Sequence, residues 1–212
     1  MHFHIITLFP ESFESYLRSS IIGRAVHDGN IKVSFYNPRD YTKDKHVRVD
    51  QKPYGGGPGM VIQAEPVLRA VKDAVGRKKN VKIVFMEADG DEFSNEYART
   101  WSKKYKHIVL VAGRYEGIDA RARRALNADA VTIGPYVLTG GELPAMVIMD
   151  ATARQIEGVL GDEKSREEER IASHEVYTRP EKLKWKGKVY EVPEVLRSGD
   201  HKKIDQWREE RS

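Results

Sequence analysis

The sequence predicts an α/β protein, a mainly parallel sheet with helices on both faces. Three observations predict it. Short apolar runs alternate with stretches of helical periodicity along most of the chain, the order that gives parallel sheets covered on both sides. Two of those runs pass directly into glycine, at Gly113 and Gly134, and ligands in such sheets sit beyond the carboxyl ends of the strands. The 212 residues are 40% hydrophobic, enough for one substantial core with a small second unit beside it.

Residues 3–8 read as a buried strand, and residues 12–25 as an amphipathic helical stretch that Gly29 and Asn30 end. A second strand alternates, with Ile31, Val33 and Phe35 on one face and Lys32 and Ser34 on the other. Asn37 and Pro38 then turn the chain, and residues 39–52, polar and without period, read as a surface loop. Pro66 sits in the first turn of a helix carrying Val67, Leu68, Val71, Ala74 and Val75, which Gly76 ends. Residues 81–86 are a buried strand closed by Asp89 and Gly90, and residues 94–105 a helix that Ser94 caps, with Tyr97 where a capping box would need Glu or Gln. Residues 107–112 form the next buried strand, residues 121–126 a short helix, and residues 130–133 another strand.

From Leu143 to Leu160 the pattern is a helix ended by Gly158 and Gly161, with Asp150 and Arg154 on one face. The charged run at 162–170 reads as a linker or exposed helix. Beyond residue 178 comes a small unit: a hairpin around Gly187, a short segment from Pro193, then a terminal helix with Ile204 and Trp207 inward. These breaks give a main domain over residues 1–160, a linker over 161–177 and a small unit over 178–212.

Composition excludes several classes. No cysteine is present, which removes disulfides, thiolate metal sites and cysteine nucleophiles and fits a reducing compartment. The opening apolar run, broken by His4 and closed by Pro10, is too short for a secretory signal, and no later run reaches membrane-spanning length. A cytoplasmic protein is expected, and no set of metal ligands is assigned. Net charge is only +4, which permits a polyanionic partner without requiring one. Basic residues cluster with aromatics at 39–52 and around Trp185, and Arg121, Arg123 and Arg124 crowd one turn. Such clusters suit an RNA backbone, although a solvated face is the commoner meaning of each.

Residues 131–149, V-T-I-G-P-Y-V-L-T-G-G-E-L-P-A-M-V-I-M, read as strand, glycine-rich loop and helix. Glycine serves where backbone must take positive φ or come very close to something, so the loop either wraps a ligand or makes an ordinary strand-to-helix turn. Y-G-G-G-P-G-M at Tyr54 is too glycine-rich for a regular element, and it lacks the Gly-Lys-Ser/Thr of a nucleotide P-loop. No G-x-G-x-x-G follows the first strand, which disfavours a dinucleotide enzyme.

Y-G-G-G-P-G-M at Tyr54, G-R-Y-E-G-I-D at Gly113, I-G-P-Y-V-L-T-G-G-E-L-P-A-M at Ile133, G-V-L-G at Gly158 and Y-T-R-P at Tyr177 occur in this order. Together they resemble the bacterial tRNA (guanine-N1)-methyltransferase family, from the first strand to the last helix. The resemblance implies the SPOUT fold, a trefoil-knotted mainly parallel sheet, with a small C-terminal helical unit that is truncated here. It further implies a homodimer with an active site shared between subunits, S-adenosylmethionine as methyl donor, and methylation of N1 of the guanosine just 3′ of the tRNA anticodon.

Carried over by motif position, the donor site would comprise Gly113, Ile133, Gly134, Pro135, Tyr136, Val137, Leu138, Gly140 and Gly141, and the substrate loop Tyr54, Gly55, Gly56, Gly57, Pro58 and Gly59. Guanine N1 carries a proton at neutral pH, so a base must remove it, and a fixed cation must meet the charge that builds on O6. Arg154 matches the family's cation, with a surface ion pair to Asp150 as the alternative. Glu116 matches a position near the donor, with an ion pair to Arg114 or a neighbouring helix as the alternative.

Three departures stand out. The family's linker aspartate is absent, and Glu169, in the run Glu167-Glu168-Glu169-Arg170, takes its place by spacing; Pro135 replaces an acidic residue; and the chain stops soon after Trp207. A catalytically silent RNA-binding protein is the alternative these departures leave.

Overall fold

The computed structural model describes residues 1–161 and 175–211. The chain divides into two compact units, Met1–Gly161 and Asp162–Ser212.

The first unit is built on a five-stranded sheet in the order β2-β1-β6-β5-β7. Its strands are β1 (His2–Ile6), β2 (Lys32–Tyr36), β5 (Val81–Glu92), β6 (His107–Val111) and β7 (Asp129–Thr132). Every pairing between them is parallel. A two-stranded antiparallel ladder of β3 (Asp50–Gln51) and β4 (Val61–Ile62) stands apart. Because successive strand residues point to opposite faces, each apolar strand feeds two cores. Phe3, Ile5, Ile108 and Leu110 bury against α2 (Ser20–His27), α4 (Asn95–Lys104) and α6 (Glu142–Ala153). On the other face Ile6, Val109 and Val111 meet Val67, Ala70, Val71 and Ala74 of α3 (Ala64–Val75) and Ala122 of α5 (Ala120–Leu126). The expectation of a parallel sheet with helices on both faces is met.

Four elements differ from the sequence reading, the first being the helix expected to run to Leu160, which ends at Ala153. Residues 12–25 are not one helix but a 3-10 turn at Pro10–Phe13, α1 (Glu14–Leu17) and α2. Ser20 takes a positive φ, and Gly23 presses so close to the Arg18 backbone that a Cβ would lie 2.7 Å from its carbonyl carbon. β5 runs through Asp89 and Gly90 to Glu92, with a register shift between Met86 and Asp91 before it pairs again with Val131 and Thr132. Gly90 permits this because a Cβ there would stand 2.5 Å from the Ala130 carbonyl carbon. The segment 39–52 is also not all loop, since it holds a 3-10 turn (Pro38–Tyr41), β3 and the buried Val49.

The second unit contains the hairpin of β8 (Lys182–Trp185) and β9 (Lys188–Glu191), then α7 (Glu194–Arg197) and α8 (His201–Glu209). Lys186 and Gly187 both have positive φ, as a two-residue hairpin turn whose twist matches its strands requires. Asp200 caps α8 through the Lys203 amide at 3.3 Å, and Ile204 is its buried residue.

Candidate functional site

Because all five strands run in one direction, the loops that leave β6 and β7 emerge at the same edge of the sheet. There they join. The Gly141 amide donates to the Gly113 carbonyl at 2.8 Å, and Arg114 and Gly140 form an isolated antiparallel bridge. A Cβ on Gly141 would lie 2.7 Å from the Ala112 Cα, so this glycine is required by closeness, not by dihedral. Its φ of −84° suits any residue. The Tyr54 to Gly59 loop reaches the same edge. Glu116 donates its amide to the Met60 carbonyl at 3.0 Å, Ile62 donates to the Gly117 carbonyl at 2.9 Å, and the Glu116 side chain lies against Gly59. Gly55, Gly56, Gly57 and Gly59 all have positive φ, and Tyr54 is fully exposed.

Beneath the loops lies a group of side chains that the motifs did not single out. Glu142, only 3% exposed at the first turn of α6, accepts the Thr7 hydroxyl at 2.8 Å and faces Arg114 Nε at 2.9 Å. The Arg114 guanidinium also sits over the Phe9 ring, 4.7 Å from its centroid, and donates to the Thr139 carbonyl at 3.3 Å. Gly140 must be glycine to admit this pair, because a Cβ would fall 2.6 Å from Arg114 Cδ and 2.7 Å from the Glu142 carboxylate. The carboxylate's place in the helix's first turn is itself favourable, since the N-terminus carries partial positive charge. Arg114 therefore pairs with Glu142 and not with Glu116, which corrects one alternative drawn from the sequence. The readable signal was Gly-Gly-Glu at a helix start, where a carboxylate can turn back into the fold.

The rest of the β7–α6 loop stands outward. Gly134 is followed by a tight turn in which Tyr136 donates its amide to the Gly134 carbonyl at 2.9 Å and its hydroxyl to the Ile133 carbonyl at 3.1 Å. Pro135, Tyr136, Val137 and Leu138 are all exposed. Thus Gly113, Gly140, Gly141, Glu116 and the Tyr54 loop converge, with Ile133 to Leu138 at the rim.

Arg154 does not join them within one chain. It caps the far end of α6, donating its amide to the Asp150 carbonyl at 3.0 Å. Thirteen residues at the helical rise place it roughly 20 Å along the axis from Gly141. The Asp150 carboxylate accepts the Tyr16 hydroxyl, and burial together with that bond holds the phenol up at about 12. Leu143 and Val147, on the same stripe of α6 as Asp150 and Arg154, are 56% and 45% exposed. Glu167, Glu168 and Glu169 lie outside the described residues.

The basic turn of α5 divides its charges. Arg121 binds Asp119, which thereby falls below the usual carboxylate range, and Arg123 pairs with Glu87 at 3.2 Å. Trp185, Leu183, Val189 and Tyr190 of the hairpin are exposed beside its lysines. No helix among the described residues is long and apolar enough to cross a membrane.

These features define a class: a parallel α/β protein whose glycine loops gather at the carboxyl edge of the sheet around a buried carboxylate paired with a half-buried arginine. The chain belongs to the tRNA (Guanine-1)-methyltransferase TrmD family, whose model matches residues 1–212. It is 43% identical over 215 residues to the tRNA (guanine-N(1)-)-methyltransferase of Pseudoalteromonas atlantica, covering 99% of this chain and 79% of that relative. To the proteins of the same name from Carboxydothermus hydrogenoformans and Clostridioides difficile it is 45% and 44% identical, covering all of this chain and 83% and 92% of theirs.

Proposed function

We propose that the chain transfers the methyl group of S-adenosylmethionine to N1 of the guanosine immediately 3′ of the anticodon in tRNA, in the cytoplasm. Family membership supports the reaction. The observation that carries it to these residues is the meeting of the 113–119, 134–141 and 54–59 loops at one edge of the sheet, where glycines leave main chain uncovered. A donor held at this edge fits its surroundings: Gly113, Gly140 and Gly141 let the two loops close on each other, and the exposed run from Pro135 to Leu138 supplies the main chain and apolar surface that an adenosine needs. The family's trefoil knot would tie these two loops together, and residues 1–160, 161–177 and 178–212 would serve as catalytic domain, linker and tRNA-contacting unit.

S-adenosylmethionine supplies an electrophilic methyl bound to a sulfonium. The protein's part is to prepare the nucleophile. A linker carboxylate, Glu169 by spacing, removes the N1 proton, and the Arg154 guanidinium meets the negative charge that develops on O6. Glu116, anchored by its amide to Met60 and laid against Gly59, puts a carboxylate between the donor and substrate loops. The Tyr54 to Gly59 loop, with its exposed ring, is suited to receive the nucleotide.

The site would be shared between two copies of the chain. Arg154 is roughly 20 Å along the axis from Gly141 on its own helix, so it cannot serve the donor held by that same helix's loop. Two copies of α6 packed antiparallel about a two-fold axis near Val147 would bring Arg154 of one level with Gly141 of the other. The exposed Leu143 and Val147 lie on the stripe that such packing would cover.

The test is transfer from labelled S-adenosylmethionine to paired tRNA transcripts with guanosine or adenosine at the position 3′ of the anticodon. Label only on the guanosine transcript is expected. Donor binding without transfer to either would refute the enzyme and favour a silent RNA-binding protein.

A further inference from the structure

At the opposite, amino-terminal edge of the sheet lies a cluster that the methyl-transfer reading does not use. His2 and His4 alternate along β1 and so share a face, and His107 on β6 is the register partner of His2. One nitrogen from each of the three rings lies within 4.8 Å of the others. His4 is wholly buried and the other two are half-buried. His4 Nε2 stands 3.2 Å from His107 Nδ1. On β2, Ser34 Oγ is 2.9 Å from His2 Nε2 and the Tyr36 hydroxyl is 3.2 Å from His4 Nδ1.

We propose that His2, His4 and His107 form a binding site for a borderline divalent metal ion such as zinc, which staples β1 to β6 at the edge remote from the glycine loops. Three imidazoles converge here, and on His4 the hydroxyl of Tyr36 takes one ring nitrogen while the other is turned toward His107 at 3.2 Å, leaving one nitrogen of each ring directed into the cluster. An all-nitrogen set selects Zn(II), Co(II), Ni(II) or Cu(II) and disfavours Mg(II) and Ca(II), which take oxygen ligands. The hydroxyls of Ser34 and Tyr36 occupy the second ring nitrogens of His2 and His4, which is how metal-binding imidazoles are commonly oriented. Nitrogens as far as 4.8 Å apart must close by about 1.5 Å to the roughly 3.3 Å spacing of tetrahedral ligands held 2.0–2.1 Å from zinc.

The groups facing the cluster are cationic: Lys32 on β2, Lys78 after α3, Lys106 before β6, and the amino terminus, whose amine donates to the Asn30 carbonyl. Among the described residues no carboxylate joins the group. The fourth ligand of a bound ion is therefore an anion, hydroxide or chloride, which the neighbouring ammonium groups favour. The site is a staple and not a reaction centre, because His107 stands six strand residues from Gly113, roughly 20 Å away.

The test uses the whole chain, freed of metal by chelator and dialysis, and titrated with Co(II) followed by visible absorbance. One Co(II) per chain, with the intense ligand-field bands of low coordination, displaced by Zn(II) and untouched by excess Mg(II), is expected. His2→Ala and His107→Ala, at the rim of the cluster, should each weaken binding at least tenfold. In the unaltered protein, Zn(II) should shift the imidazole nitrogen resonances of these three rings and no others, a readout that needs no variant to fold. Zinc at a hundred times its Kd should raise the folded-to-unfolded ratio about a hundredfold. Absence of stoichiometric binding, retention of affinity in both variants, or shifts confined to His27, His46, His174 or His201 would each overturn the proposal.

Discussion

Gly141→Ala isolates closeness from conformation. The native φ and ψ of −84° and −2° are open to alanine, so the new methyl carries no dihedral strain and only its collisions count. Those collisions are with backbone: the Ala112 Cα at 2.7 Å, the Gly113 amide nitrogen at 2.8 Å and the Ala112 carbonyl carbon at 3.1 Å. No rotamer change can relieve them. Ordinary contact begins near 3.4 Å, so the start of α6 must move about 0.7 Å from the end of β6, and the 2.8 Å bond from the Gly141 amide to the Gly113 carbonyl lengthens with it. Overpacking costs about 1–3 kcal/mol and a weakened buried hydrogen bond about 1. A total of about 3 kcal/mol lowers Tm by about 6–12 °C in a unit of this size. Since the same displacement opens the proposed donor cradle, calorimetry with S-adenosylmethionine should find affinity reduced by about tenfold or more. Gly161→Ala is the control, because nothing lies within 4 Å of a Cβ there and its Tm should stay within a degree or so. A Gly141→Ala protein with unchanged Tm and unchanged donor affinity would refute both the closeness argument and the placement of the donor.

Three further outcomes follow from the same geometry. Glu142→Gln keeps shape and the Thr7 contact but leaves Arg114 facing a neutral amide, and should cost about 2–4 kcal/mol in denaturant unfolding; combined with Arg114→Met the loss should be less than additive. Arg154→Ala and Gly140→Val should each be inactive, the first with donor affinity retained, and mixing the two should restore about a quarter of the wild-type sites if each site draws Arg154 from the other copy; no recovery after subunit exchange would place Arg154 and the donor loop in the same chain's site. Tyr16 titrates at about 12 in the fold against an ordinary 10, so its contribution is complete below pH 10 and lost as pH rises toward 12. Tyr16→Phe should therefore flatten that part of the alkaline decline in Tm, and an unchanged decline would show that the bond to Asp150 does not couple to folding.

Strand and helix placement was legible because it depends on period, and the period survives even where neighbours are unknown. The breaks depend on close approach, which period does not encode. Gly23 against Arg18 and Gly90 against Ala130 look, in the sequence, like any glycine in a helix or a turn, and in the fold they split one expected helix and prolong one expected strand. The candidate site shows the same division. Its glycine loops are plain in the sequence, whereas Glu142 and Arg114 stand inside the same motifs as charged residues, which suggest a surface until burial is known.

The histidines make the point from the other side. His2 and His4 have the alternation of a buried strand, but only the β1–β6 register, set by residues a hundred positions apart, puts His107 beside them. A sheet whose two ends hold the glycine loops and a histidine cluster has to keep β1 and β6 in register for both. Thr7, one residue past the end of β1, binds the Glu142 carboxylate under the loops, while His2 and His4 meet His107 at the strand's other end. A one-residue slip between β1 and β6 would turn the histidine faces apart and draw Thr7 from Glu142 in the same motion. Stapling the histidine edge should thus also steady the carboxylate that positions Arg114, and with it the loops of the proposed donor site.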